Sequence, residues 1–314
     1  MIKLMIKRKL RRPVAFYTGM GLLLLLSLVA LIGPWVIPYS PHQMFLLPVR
    51  AGEIVGPPEL PSERHWLGTD AFGRDMLTLV LLGLRYTLLT VLLVAGLRIL
   101  FGGMIGVLKG LSPQAGKRRQ DGTLMRVTRL FPAFFIAFFL LFGINQMGSV
   151  EVLIIALVQL AVLVLIGIPQ VVHIFEAYVT EWKGQSFVEA SKLMGGSKWW
   201  LARKHLWPWL KDLGALFMFQ ECILVLNLLG QLGVLGVFVG GMIRIENVFE
   251  REHAITRSFE WAGLLTQNKS FVISYPEIIL IPVGLFLLLL FSLYLVSRGL
   301  ERGYQREREE YPYV

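Results

Sequence analysis

Six long apolar stretches constrain this chain more than any other feature. A helix needs about 20 consecutive apolar residues to cross the hydrocarbon core of a bilayer. Residues 16–37, 79–108, 130–150, 152–175, 213–243 and 278–297 each reach that length. The stretch 79–108 contains Arg85 and Arg98, the stretch 213–243 contains Glu221, and the other four carry no Asp, Glu, Lys or Arg. Between the third and fourth, Gly143-Ile144-Asn145-Gln146-Met147-Gly148-Ser149 is the one turn-forming segment, which predicts a tight hairpin. The chain is 55% hydrophobic and 17% charged, with a mean hydropathy of +0.63. A soluble enzyme, a disulfide-stapled secreted domain and a disordered chain are all excluded. The single cysteine, Cys222, lies in an apolar run and is expected to be a buried spectator. The expected fold class is an all-α integral membrane protein with six transmembrane helices.

Charge sets the orientation. The first stretch follows a basic segment, but it is too long for a signal-peptide core. Only Gly33-Pro34-Trp35 follows it where small residues would mark cleavage, so it reads as a retained helix. Six spans place both termini on one side. Of the 31 Lys and Arg residues, 22 lie in the N-terminus, the 109–129 loop, the 183–211 segment and the tail after residue 297. Arg50, Arg64, Arg74, Arg244, Arg251, Arg257 and Lys269 fall on the other face, and Arg85 and Arg98 within a span. Basic residues favour the cytoplasm, so both termini are expected there. The net charge of +10 is thereby accounted for by topology, with lipid headgroups rather than nucleic acid as its neighbours. The resulting organisation is a basic cytoplasmic N-terminus (1–15), a membrane domain (16–297) and a cytoplasmic tail (298–314). Extracellular segments occupy 38–76 and 244–276, and a large cytoplasmic loop occupies 176–212. Six prolines between 38 and 61 predict an irregular, extended first external segment.

The 176–212 loop interleaves charges with Trp182, Phe187, Leu193, Met194, Trp199, Trp200 and Trp207. It is too apolar for a solvated linker and too charged for a span. An amphipathic element at the membrane surface fits, either as a simple interfacial anchor or as a docking site for a partner. Glu189 to Met194 is helix-forming, Gly195 and Gly196 end the helix, and Pro208 predicts a break before the fifth span. Helix, glycine turn, helix and proline would make a compact cytoplasmic bracket.

Two motifs resemble a known family. Glu189-Ala190-Ser191, followed by Gly195, His205 and Pro208 at the matching spacing, resembles the cytoplasmic EAA loop of ABC importer permeases. Ser191 stands for the second Ala of that pattern and Trp207 for its Leu. Leu67-Gly68-Thr69-Asp70-Ala71-Phe72-Gly73-Arg74-Asp75 is similar to the external signature of the dipeptide/oligopeptide/nickel permeases, in their C-type subunit, and Gly83, Arg85 and Leu88 continue it. Glu260-Trp261-Ala262-Gly263-Leu264-Leu265 before the last span is a further echo. The resemblance runs from about residue 14 to residue 305.

The resemblance implies a permease subunit of an ATP-driven, binding-protein-dependent importer, with peptides the commonest cargo. Its partners would be a homologous second permease, two ATPase subunits and an extracytoplasmic binding protein. ATP and Mg would sit on those partners, with no cofactor held by this chain. Glu189, Ala190, Ser191, Gly195, Gly196, His205 and Pro208 would couple to the ATPase. Gly68, Thr69, Asp70, Gly73, Arg74, Asp75 and Arg85 would form the external signature.

The chain's own residues agree that chemistry lies elsewhere. Gly110 with Gly116-Lys117-Arg118 is one residue too long for a phosphate loop and lacks its Ser or Thr, so it reads as a basic turn. No catalytic motif and no metal-ligand cluster is apparent. Asn268-Lys269-Ser270 is a formal glycosylation sequon. Within the spans, Arg98 is costly and should face protein or water. Glu221 is its candidate ion-pair partner, and the alternatives for both are a subunit interface or the transport path. Gln159, Gln220, Asn227 and Gln231 are helix glue or path lining. Gly102, Gly106 and Gly110 form a small stripe suited to close helix packing. An ion-driven secondary transporter and a non-transporting scaffold or sensor are the rival functions.

Overall fold

The fold is taken from a computed structural model that describes residues 13–44, 49–50, 53–54, 57–112, 132–195, 198–246 and 252–310. Its described helices are α1 (Val14–Val36), α2 (Met76–Leu111), α3 (Ala133–Asn145), α4 (Val152–Lys183), α5 (Ser186–Leu193), α6 (Lys198–Leu201), α7 (Trp207–Val234), α8 (Trp261–Asn268) and α9 (Glu277–Glu310). Two short antiparallel hairpins, β1 (Val49–Arg50) with β2 (Glu53–Ile54) and β3 (Met242–Glu246) with β4 (Glu252–Thr256), lie between helices. In the second hairpin, Met242 faces Thr256 and Glu246 faces Glu252.

Five described helices are long and apolar enough to cross a membrane: α1, α2, α4, Leu213–Val234 within α7, and Glu277–Gln305 within α9. The predicted third span, 130–150, contains only the 13-residue α3, which is shorter than a bilayer needs. Residues 130 and 131 lie outside the described residues. The hairpin falls where the sequence places it, because α3 ends at Asn145 and α4 starts at Val152.

Several boundaries depart from expectation, and each departure has a physical cause. The fifth helix ends at Val234 rather than near residue 243. Gly236, Gly240 and Gly241 adopt φ of +81°, +90° and +75°, a left-handed backbone that breaks helix propagation and turns the chain back. At its other end α7 begins earlier. Ala202–Leu206 form a π-helical turn that runs directly into it, so Pro208 occupies the first helical turn instead of marking a break. Pro208 has no N–H to donate back into the preceding turn, and the irregular π turn lies immediately before it. Helix α4 continues to Lys183, two turns past its apolar stretch, and α9 continues to Glu310.

Glycines bring the helices together. A Cβ on Gly102, Gly106 or Gly110 of α2 would lie 2.8 Å from Val171 Cβ, 2.6 Å from the Val172 carbonyl oxygen or 2.6 Å from Val179 Cβ of α4. The stripe therefore serves packing, as expected. Gly19 and Gly299 do the same for α1 against α9. Outward faces stay apolar: Leu24, Leu25, Leu28 and Leu31 of α1 and Leu153, Leu157 and Leu165 of α4 are exposed. A soluble bundle would place polar groups there. Inside, one apolar core joins the helices, with Leu79, Val94, Leu141, Leu163, Leu226, Trp261 and Leu289 among its most buried members.

Candidate functional site

The external signature folds into a buried polar knot at the start of α2. Asp70 is fully buried. Its Oδ1 accepts from the backbone N–H of Phe72 (2.9 Å) and of Arg74 (2.8 Å). Its Oδ2 accepts from Arg74 Nε (2.9 Å) and Nη2 (2.7 Å). Gln267 Nε2 donates to the same oxygen at 3.3 Å. Asp75 caps α2, accepting from both the N–H and the hydroxyl of Thr78 at 2.8 Å, and its other oxygen lies 2.9 Å from His65 Nδ1. The Thr69 hydroxyl accepts from the Glu59 N–H at 2.8 Å. Gly68 and Gly73 supply the left-handed turns, at φ +73° and +72°, and a Cβ on Gly68 would come within 2.4 Å of the Glu59 carbonyl oxygen. The signature residues other than Arg85 thus form one knot, and the Arg74 guanidinium sits over the rings of Phe72 and Phe259. Arg85 stays out of it, exposed nearly three turns along α2. Gly83 is absent from the knot too, but its role is clear. A Cβ there would lie 2.5 Å from the Phe259 carbonyl oxygen, so glycine lets the second external segment lie against α2. Trp261 completes that seam, donating from Nε1 to the Val80 carbonyl at 3.0 Å.

Beside the knot, the glycine turn after α7 is held by side chains from several elements. Asn145 donates to the Gly236 carbonyl (2.9 Å) and accepts from the Phe238 N–H (3.3 Å). Gln159 donates to the Phe238 carbonyl (3.1 Å) and accepts from the Gly240 N–H (2.7 Å). Glu260 accepts from the Val239 N–H (2.7 Å), Ser258 donates to the Val239 carbonyl, and Thr266 donates to the Gly233 carbonyl. Buried non-helical backbone needs such partners. Gln159 thereby ties α4 to the glycine turn. Glu260 is 1% exposed, and its Oε2 has no partner among the described residues. Burial pushes its carboxyl up to about 7, against the opposing pull of the Val239 N–H. Asn145 and Glu260 did not stand out in the sequence as a pair, because nothing local indicates that both reach the same turn. The sequon residue Asn268 is fully buried, so it is inaccessible to glycosylation in the folded chain.

At mid-bundle, Arg98 of α2 meets both neighbouring helices. Its Nε and Nη2 donate to the Leu163 carbonyl of α4 at 3.1 and 2.7 Å. Its Nη1 lies 3.4 Å from Glu221 Oε2 of α7. Both side chains are buried, so the ion pair weighed from sequence is present. Gln220 is half-buried, while Asn227 and Gln231 are exposed on α7. With the exposed Leu224 they make an outward stripe at spacings of four, three and four residues. Cys222 is buried as expected.

The bracket occupies the opposite end of the helices from the knot. Helix α4 leads through Gly184 into α5, whose first turn is bonded to the Gln185 carbonyl. Gly195, at φ +84°, turns the chain toward α6, and the π turn passes it into α7. Gly196 lies outside the described residues. Val179, Trp182, Val188, Leu201, Leu206, Leu210 and Phe217 close a separate apolar core within the bracket. Glu189 and Ala190 are exposed, Ser191 is half-buried and Pro208 is exposed. His205 is half-buried, with its ring 5.9 Å from Phe187 and 5.5 Å from Trp200. Leu193 and Met194 are 90% and 82% exposed, and Trp207 is 66% exposed, beside the acidic Glu189 helix. An exposed apolar patch rimmed by polar residues is characteristic of an interaction surface.

Residues 4–50 match a family described as the N-terminal TM domain of oligopeptide transport permease C. A Brucella suis protein named for a peptide transport system permease is 32% identical over 203 residues, which is 64% of this chain and 62% of that protein. The glutathione transport system permease of Pectobacterium atrosepticum is 24% identical over 94% of this chain and 87% of its own length. The nickel transport system permease of Escherichia coli K12 is 36% identical over 41% of this chain and 43% of its own length. The chain is similar to permease subunits of peptide, glutathione and nickel transport systems. With this likeness and five described helices long and apolar enough to cross a membrane, it is a multi-pass protein of the inner membrane. The chain spans about 62% of the length of the first of these relatives.

Proposed function

We propose that this permease is the transmembrane subunit of an ATP-driven, binding-protein-dependent importer, with peptides as its cargo. It forms half of a translocation pore with a homologous second permease. Two ATPase subunits hold the ATP and Mg, and an extracytoplasmic binding protein delivers the cargo. Six spans place both termini in the cytoplasm, with the third span built from α3 and the apolar residues around it. This chain carries no catalytic site of its own.

One observation carries the reading: the bracket is continuous with α4 on one side and α7 on the other, and it presents Glu189, Leu193 and Met194 outward. Closure of the ATPases pushes α5, and the push reaches α4 and α7 through the apolar core they share. That tilts the helices and changes which side the cavity faces. The two packings must differ by only a few kcal/mol for nucleotide to switch them.

The test is charge reversal at the bracket. Glu189→Lys in the reconstituted complex is expected to abolish the stimulation of ATP hydrolysis by the binding protein. Membrane insertion and subunit yield should stay unchanged. Stimulation at the wild-type level in that variant would count against the coupling role.

A further inference from the structure

We infer that Arg98 is a positioning residue that binds α7 to the α2/α4 pair, so that the three helices move as one body when the bracket is displaced. The inference rests on the coupling role proposed above and adds the part that carries the motion. Helices α2 and α4 are already locked together by two devices. The Gly102, Gly106 and Gly110 stripe puts α2 backbone against Val171, Val172 and Val179 with no space for even one methyl group. At the bracket end, Lys183 Nζ of α4 donates to the Gly110 and Ser112 carbonyls at the end of α2, both at 2.8 Å. Neither device touches α7.

Arg98 does. Its planar fork spends Nε and Nη2 on the Leu163 carbonyl and turns Nη1 to Glu221. The seat is shaped for it. A Cβ on Gly167 would stand 2.1 Å from Arg98 Nε, so only glycine leaves room for the guanidinium beside α4. Among the described residues this is the one charged tie between α7 and its neighbours within the membrane-spanning segments. A buried ion pair contributes little to stability compared with a well-packed apolar pair, so its presence here points to positioning rather than to holding the fold. Lysine cannot replace it, because a single ammonium lacks the rigid fork that serves two partners in different directions.

The experiment uses the intact complex with its partner subunits, in a Cys222→Ala background. Nitroxide labels at Leu93→Cys on α2 and Leu224→Cys on α7, both exposed positions, report the distance between the helices. It is measured without nucleotide and after trapping with ATP and vanadate. A fluorophore at Leu193→Cys on the bracket reports the coupling motion in parallel samples. With Arg98 in place, the α2–α7 distance is expected to remain the same in both states while the bracket probe responds. In Arg98→Met/Glu221→Met, which leaves no uncompensated charge, the distance should shift by several ångströms on trapping. Arg98→Lys should behave like that double variant. If the bracket responds but the wild-type distance changes on trapping, or if the variants stay as fixed as the wild type, the inference is wrong and the coupling role stands. A silent bracket probe in a complex that hydrolyses ATP overturns the coupling role and this inference with it.

Discussion

At the scale of single residues, the external knot concentrates the most polar contacts in the smallest space. Asp70 and Arg74 are buried together, with each Asp70 oxygen occupied. Asp70→Asn would leave the guanidinium without its counter-charge. Removing one partner of a buried pair costs about 3–5 kcal/mol, so the midpoint of thermal unfolding in detergent should fall clearly, and a midpoint at the wild-type value would contradict the buried geometry. Glu260 gives a prediction with a sign. Its folded value, about 7, lies above the ordinary 4.5, so the folded chain holds this proton more tightly than the unfolded one. The stability linked to it is fully present below about 4.5 and is lost as pH rises through about 7. At alkaline pH the loss is on the order of 3 kcal/mol. Thermal unfolding followed from about pH 6 to about pH 8 should show a falling midpoint, and Glu260→Gln should flatten that slope. A slope unchanged by the substitution would show that another group carries it.

At the scale of elements, helix contacts turn on small residues, and these can be tested one at a time. Gly106→Ala drives a methyl group into the Val172 carbonyl, 2.6 Å away, a contact with backbone that cannot swing aside. Overpacking of this kind costs about 1–3 kcal/mol. Gly21→Ala, with nothing within 4 Å of the new carbon, should be neutral or slightly stabilising. Equal unfolding midpoints for the two variants would contradict the α2–α4 seam. Much of this level was legible in the sequence. Apolar length located the long helices, and four-residue glycine spacing located the seam. The bracket could be read from aromatic residues among charges ending at Gly195. What was not legible depended on contacts between distant segments. The end of α7 is set by a glycine turn that Asn145, Gln159, Ser258, Glu260 and Thr266 hold from elsewhere in the chain. An apolar window continues through that turn because Val237, Phe238 and Val239 are buried like helix residues. Pro208 misled for the opposite reason, since a proline in a first helical turn has the same composition signal as one that ends a helix. The external signature was recognisable as a motif, but its role as a folding knot, and the absence of Arg85 from it, needed three dimensions.

At the scale of the whole molecule, the polar knot at one end and the bracket at the other flank helices packed through glycine. The knot ties the segment before α2 to α8 through Asp70 and Gln267, and the bracket has an apolar core of its own. Between them, the outward stripe of Gln220, Asn227 and Gln231 on α7 awaits a neighbour more polar than lipid. Gentle solubilisation is therefore expected to bring out a second permease and two ATPase subunits with this chain, and recovery of the chain alone at high yield would favour the scaffold reading. Coupling of this kind requires the bracket to be gripped by a nucleotide-hydrolysing partner. A photo-crosslinking amino acid placed at Leu193, the most exposed apolar position on α5, tests it in intact membranes. A single major adduct with the ATPase subunit is expected, its yield changing when ATP and vanadate are added. Adducts with lipid alone, or with a partner on the outer side, would contradict it.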